Sequence, residues 1–392
     1  MSAPDVRGWC PSLHEPMAAA DGLIVRVKSY VRGLSAPDLR RIAESAEIYG
    51  SGRIELTSRG ALQVRGLNEA GAMAFAQTMV EAGLASADAA VERRRNLQLA
   101  PSCEGELLAL ATAAERWLAQ DAALAALPAK FGYGFSPEIG IEADIVVLGD
   151  ARTILIGGAV AVQASPTPLE AVHRLTHAFL SLAAELPKPP RRMKALIAAV
   201  GVEAVLAEAG LAACTTPPRP VEPPRVGPHK MGFGLGVVFG ELKPDMLRVV
   251  ADLAERFGDG QVALSPGRSI WLRGVALGWH AALAAQAANG GLIVQMDDLR
   301  LRLHACAGRS GCATAHADVR ADALRLVDHA PEKGLHVSGC AKGCAHPGAA
   351  AITLVSRGVA GGYDLIFAGA PTQAPSVTDL TLDQITERLS HD

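Results

Sequence analysis

The sequence predicts an α+β protein made of two related halves. Three observations carry that expectation: an internal repeat, a proline-rich tract between its copies, and four cysteines confined to the second half. Residues 39–67, LRRIAESAEIYGSGRIELTSRGALQVRGL, align without a gap on residues 247–275, LRVVADLAERFGDGQVALSPGRSIWLRGV. Gly50 and Gly52 fall on Gly258 and Gly260, Leu56 on Leu264, and Arg65-Gly66 on Arg273-Gly274.

Each copy opens with an apolar strand, Leu23–Val27 in the first and Leu235–Phe239 in the second. Helical spacing follows at Leu39, Ile42, Ala43 and Ala46, and again at Leu247, Val250, Ala251 and Ala254. The Gly-x-Gly pair stops the helix and turns the chain. Ile54–Leu56 and Leu62–Val64 then alternate as half-buried strands do, as do Val262–Leu264 and Ile270–Leu272. Strand, helix, strand, strand is close to a split β-α-β unit. An αβ segment follows each unit. The first includes strands Ile145–Leu148 and Thr153–Ile156 and a helix from Leu169 to Leu186; the second holds the cysteines and strand Ala351–Val355. Thr215–Pro228, TTPPRPVEPPRVGP, is a linker whose prolines bar regular helix and central strand.

At 392 residues and 49% hydrophobic content the chain can fill two or three cores, since one core rarely outgrows about 250–300 residues. A net charge of −3 supplies no global basic field to recruit nucleic acid. No apolar run reaches the ~20 residues that span a bilayer. Met1 to Arg7 is polar and lacks the apolar core of a signal peptide. The seven cysteines do not form a short-chain disulfide framework, so a reducing, cytoplasmic setting is expected. Cys10, Cys103 and Cys214 read as small buried hydrophobes.

Cys306-x5-Cys312 and Cys340-x3-Cys344 form the most informative motif. Four thiolates closing on one point suit an iron–sulfur cube, each iron taking one protein sulfur. Structural zinc is the rival, although its knuckles are usually tighter, and buried or disulfide-bonded cysteines are the third reading. Small residues flank the set: Ala305, Ala307, Gly308, Gly311, Ala313, Gly339, Ala341, Gly343 and Ala345. Backbone can therefore approach and aim N–H groups at cluster sulfurs.

Cations gather near expected strand ends and loops: Arg59, the run Arg93-Arg94-Arg95, Lys130, Arg268, Arg273 and Lys342. Guanidinium groups pair carboxylates bidentately, so this set suits a polyanionic ligand. The glycines at 232, 234, 236 and 240 do not follow a strand and open a helix, which excludes a dinucleotide fingerprint. With no visible nicotinamide or flavin site, electrons are expected from a separate reductase.

Taken together, these residues resemble the sulfite and nitrite reductase haemoprotein superfamily over nearly the whole chain. The elements are Thr57-x-Arg59-x-x-x-Gln63, Arg95-Asn96, Leu127-Pro128-x-Lys130 and the cysteine set. The resemblance implies two pseudo-symmetric halves, each a ferredoxin-like unit followed by an αβ sulfite-reductase-like domain. Their limits are 1–90 and 91–214, a linker at 215–228, then 229–292 and 293–392. It also implies a 4Fe–4S cluster on Cys306, Cys312, Cys340 and Cys344, with Cys344 bridging to sirohaem iron where sirohaem is present. One departure is Gly132, where the reductases carry a second lysine that would face a small oxyanion.

Arg7-Gly8-x-Cys10-Pro11, Pro16-Met17, Asp21–Arg26 and Ser338–Pro347 are similar to the precorrin-3B synthase family of aerobic cobalamin synthesis. That likeness implies a monooxygenase taking precorrin-3A as substrate, with dioxygen hydroxylating C20 and a ring A acetate closing a γ-lactone. A reduced nicotinamide, NADH, would be the ultimate electron donor. Arg26, Arg59, Gln63, Arg95, Asn96, Lys130 and Lys342 are the implied substrate contacts, and no catalytic residue is assigned. The family is also associated with a mononuclear non-haem iron. His304, His316, His336 and His346, with Asp297, Asp298 and Asp318, lie near the cysteines in sequence, but no pair has ligand spacing and none is assigned. Competing readings are a sirohaem sulfite or nitrite reductase and a cluster protein that only carries electrons.

Overall fold

The structure is a computed structural model, and it describes residues 11–137, 140–149, 151–214, 225–230, 232–358 and 362–391. Cys10 and linker residues 215–224 lie outside these. In chain order, the first half supplies β1 (Met17–Ala19), β2 (Gly22–Lys28), β3 (Leu34–Ser35), β4 (Ile54–Leu56) and β5 (Ala61–Leu67). Then come β6 (Leu97–Leu99), β7 (Tyr133–Ser136), β8 (Ile145–Leu148), β9 (Thr153–Ile156) and β10 (Val160–Gln163). The second half repeats the series with β11 (Gly227–His229), β12 (Gly232–Gly236), β13 (Glu241–Leu242), β14 (Gln261–Ser265) and β15 (Ser269–Arg273). It ends with β16 (Leu303–Ala305), β17 (Leu335–Ser338), β18 (Ala350–Arg357), β19 (Gly362–Gly369) and β20 (Val377–Leu380).

The expected repeat is present and carries its local signals. Helix Ala36–Tyr49 starts at a capping box in which the Ser35 hydroxyl accepts from the Asp38 N–H, and the Asp38 carboxylate accepts from the Ser35 N–H. Its counterpart is Pro244–Phe257. Gly52 and Gly260 sit at φ +73° and +75° and donate to Ala46 and Ala254, each at 3.0 Å. That left-handed backbone is why each copy carries a second glycine.

The two ferredoxin-like units exchange strands. Their sheets run β1-β2-β5-β4-β13 and β11-β12-β15-β14-β3. Leu34 pairs with Val262 in one, and Leu242 with Ile54 in the other, positions that the repeat makes equivalent. Helices Ala36–Tyr49 and Pro244–Phe257 pack between the sheets in one shared core containing Leu39, Ile42, Leu247 and Val250. Reciprocal ion pairs rim it, Arg40 with Glu255 at 2.6 Å and Arg248 with Glu47. This is an isologous contact within one chain.

Each αβ part has its own core and a sheet of the same plan, β10-β9-β8-β7-β6 and β16-β17-β18-β19-β20. In each, the first three strands are parallel and neighbouring.

Two boundaries differ from expectation. The strand at Leu235–Phe239 ends at Gly236, and Phe239 takes φ +55° in a turn that throws β13 onto the other sheet. Gly240 permits that crossing, since a Cβ there would meet the Leu56 carbonyl oxygen at 2.3 Å. Gly227 and Pro228 belong to edge strand β11 rather than the linker, a place where proline is tolerated.

Candidate functional site

Parallel neighbours deliver their following loops to the same end of a sheet, so Cys306 after β16 and the loop from Gly339 after β17 face each other. The Gly339 N–H donates to the Cys306 sulfur at 3.5 Å. The Thr314 hydroxyl lies 3.2 Å from the Cys312 sulfur and 3.9 Å from that of Cys340. Small residues are required: a Cβ on Gly339 would strike the Ala315 Cβ at 2.6 Å, and Gly343 turns at φ +60° against Pro371. Cys344 is exposed, yet the protein packed around its sulfur still desolvates the thiol and pushes it up; Lys342 opposes that, and Cys306, Cys340 and Cys312 add to it, so one local field contains all four thiols. The donor set and the cradle fit an iron–sulfur cluster. Among the described residues, no three His, Cys, Asp or Glu side chains gather closely enough to hold a single ion. Cys103 is buried, its thiol pushed up to about 12 by desolvation, whereas Cys214 is only half-buried.

The histidines divide around this site. His304 stacks on His346 with ring centroids 4.5 Å apart, and His336 lies 5.9 Å from His346 edge-on. Burial, then neighbouring His346 and Arg268, lower His304 to about 4; burial, then His304, His346 and Arg268, lower His336 to about 3. Both are neutral near pH 7.

The cations of the first half line a cleft bordered by Arg26, Lys28, Arg59, Arg93, Arg95 and Asn96. Arg26 on β2 donates to the side-chain amide oxygen of Gln63 on β5 at 3.0 Å. Among the described residues, the buried Nε groups of Arg26 and Arg93 have no acceptor, and they are donors suited to a bound carboxylate. Arg59 sits at a hairpin tip that touches the tip of the other half, where the Gly267 N–H donates to the Ser58 carbonyl. Lys28 donates to the carbonyls of Glu92 and Arg93 and so ties down the basic run.

Arg95 and Asn96 stand in the wall with their groups engaged. Arg95, 3% exposed, pairs with Glu92, donates to the Lys28 carbonyl and lies 3.8 Å over the Tyr30 ring. The Asn96 amide donates to the carbonyls of Arg93, Ala129 and Phe131. Lys130 is half-buried between Ala129 and Gly132, both of which border the cleft. Lys342 lies apart, between Cys340 and Cys344.

Sequence reasoning named Arg93 only as part of the basic run, missed Lys28 and Gln98 as lining residues, and missed the groups that join cleft to cysteines. Gln63 donates to Glu55 at 2.9 Å, and Glu55 lies 3.4 Å from Arg65. Arg65 grips Asp21 through two 2.8 Å bonds and donates to the Gly311 carbonyl, one residue before Cys312, at 2.6 Å. Arg320 adds ion pairs to Glu55 and Glu241. Burial alone would raise the Glu55 carboxyl, but Arg320 and Arg65 hold it below the ordinary carboxylate range. The one available signal was Arg65-Gly66 recurring as Arg273-Gly274.

A duplicated ferredoxin-like unit, a cationic cleft and a four-thiol cradle define a protein with the nitrite and sulfite reductase architecture. The nitrite/sulfite reductase ferredoxin-like half domain matches residues 15–82 and 227–289. The solved structure of the Mycobacterium tuberculosis NirA protein shares the fold with a TM-score of 0.74, at 19% identity, over 93% of this chain and 79% of that one. A precorrin-3B synthase from a Sinorhizobium species is 31% identical over 397 aligned residues, covering 94% of this chain and 84% of the relative. The chain belongs to the precorrin-3B synthase family. No helix among the described residues is long and apolar enough to cross a membrane.

Proposed function

We propose that the cleft binds precorrin-3A, and that the chain converts it to precorrin-3B by dioxygen-dependent hydroxylation at C20 with closure of the ring A acetate to a γ-lactone. The observation that carries this reading is the cleft itself: four arginines and a lysine line it, two of them with buried N–H groups that have no acceptor among the described residues, and side chains join it to the cysteine loop. A metal-free macrocycle bearing many carboxylates answers that charge.

Arg26, Arg59 and Arg93 take the peripheral carboxylates, while Arg95, Asn96 and Lys28 keep the wall rigid. Gln63 orients Arg26, Lys130 adds charge at the rim, and Lys342 supports the thiolates. A 4Fe–4S cluster on Cys306, Cys312, Cys340 and Cys344 supplies single electrons for oxygen chemistry when bound. NADH is the ultimate donor through a separate reductase, in the cytoplasm. A mononuclear iron belongs to the reading, with no ligands assigned. Gly132 leaves no cation where a small oxyanion would sit, and a Cβ there would crowd the Asn96 carbonyl oxygen at 3.3 Å.

Anaerobically purified protein tests the reading through its absorption spectrum and its iron and sulfide content. About four acid-labile sulfides per chain, without sirohaem bands, are expected; iron beyond sulfide would mark a second iron site. Added precorrin-3A, oxygen and reductant should yield the lactone by mass spectrometry. Strong sirohaem bands with reduction of sulfite or nitrite would replace this reading with that of a reductase.

A further inference from the structure

We infer that Glu55 is a positioning residue that joins the two sites: it aligns Gln63 toward Arg26 in the cleft and Arg65 against the Cys306–Cys312 loop, so that seating a tetrapyrrole alters the surroundings of the cluster. The inference rests on the reading proposed above. One Glu55 oxygen accepts from the Gln63 amide nitrogen at 2.9 Å, and the other takes Arg320 at 2.5 Å. An amide has two faces, and an ionised carboxylate tolerates only the nitrogen. Glu55 therefore fixes the Gln63 oxygen on Arg26, 3.0 Å away, and leaves the buried Arg26 Nε for a ligand.

On its other side Glu55 shares Arg65 with Asp21, and Arg65 holds the Gly311 carbonyl at 2.6 Å. The path from cleft to cysteine loop is thus Arg26, Gln63, Glu55, Arg65, Gly311. Side chains of Arg65, Glu55, Arg320 and Asp21 are each about nine-tenths buried or nearly so, at 5%, 13%, 11% and 12% exposure. Buried ion networks seldom outperform apolar packing in stability, and fixing geometry is their better-attested use.

The test titrates anaerobic, cluster-loaded protein with uroporphyrin, a stable metal-free polycarboxylate, and follows porphyrin fluorescence and the electron paramagnetic resonance of the reduced cluster. Wild-type protein should bind the probe and shift its cluster signal on binding. Glu55→Gln should keep its sulfide content, bind the probe about tenfold more weakly, and show no shift. Gln63→Leu, which spares the ion pairs, serves in its place if Glu55→Gln does not fold, with the same expected loss of the shift. A loaded variant that binds and shifts like wild type overturns the inference and leaves the proposed function standing. So does wild-type protein that binds without any shift. Wild-type protein lacking the cluster, or failing to bind the probe, overturns both.

Discussion

The corresponding faces of the two halves use one backbone for opposite purposes. Strand register makes Arg26 and Gln63, paired on β2 and β5, the counterparts of Gly234 and Trp271 on β12 and β15. Likewise Gln98 and Gly134 correspond to His304 and His336. The first-half face is an open cationic cleft. In the second half Trp271 is 4% exposed, His336 is fully buried, and a Cβ on Gly234 would strike the Arg225 carbonyl oxygen at 2.6 Å. After the strands the roles reverse: Ala100 follows β6 where Cys306 follows β16. Duplication supplies two equivalent frames, and the side chains make one a ligand face and the other a thiolate cradle.

That division can be broken at its strongest point by replacing Cys306, Cys312, Cys340 or Cys344 with alanine. Each change should abolish acid-labile sulfide and turnover, whereas Cys103→Ser should leave both intact, as read from sulfide assay and visible spectrum. The next largest effect belongs to Arg95→Ala. Glu92, also fully buried, would lose its charge partner, and unfolding in urea should fall by about 3–5 kcal/mol.

Arg26→Ala tests the ligand face itself. Loss of a charge-assisted bond should weaken uroporphyrin binding by roughly 1.5–3 kcal/mol, or about 10–150-fold. Trp271→Phe at the counterpart position should leave it unchanged, as measured by fluorescence titration.

The smallest effect is a pH dependence confined to the second-half face. His304 and His336 have folded values of about 4 and about 3 against an ordinary 6.5. Their contribution is therefore complete above about 6.5 and is lost as pH falls toward the folded values, because the unfolded chain binds the protons first. His336→Gln should flatten the fall in Tm between pH 6.5 and 4.5 seen in thermal melts.

Much of this was legible along the chain. The halves, the helix of each copy, strands Ile145–Leu148 and Thr153–Ile156, and the grouping of the cysteines all rest on short-range signals: apolar period, paired glycines, and spacing within a loop. The substrate contacts were only partly legible. A basic run such as Arg93-Arg94-Arg95 announces charge without direction, and the structure turns Arg93 to the cleft, Arg95 to Glu92, and Arg94 to the carbonyls of Leu118 and Ala119. The end of the second-half strand was misplaced by three residues, because Val237 to Phe239 are apolar in either conformation and only the crossing to the other sheet distinguishes them.

By itself, then, the sequence determined the duplicated α+β plan and the four-thiol set, since periodicity and spacing are local properties that neighbouring residues enforce. The tertiary structure alone decided the exchange of β3 and β13, the closing of the second-half face by Trp271, and the link from Arg26 through Glu55 and Arg65 to Gly311. Those depend on charges and strand edges far apart in the chain. Their free energy arises only when desolvated partners meet, and no local pattern records that meeting.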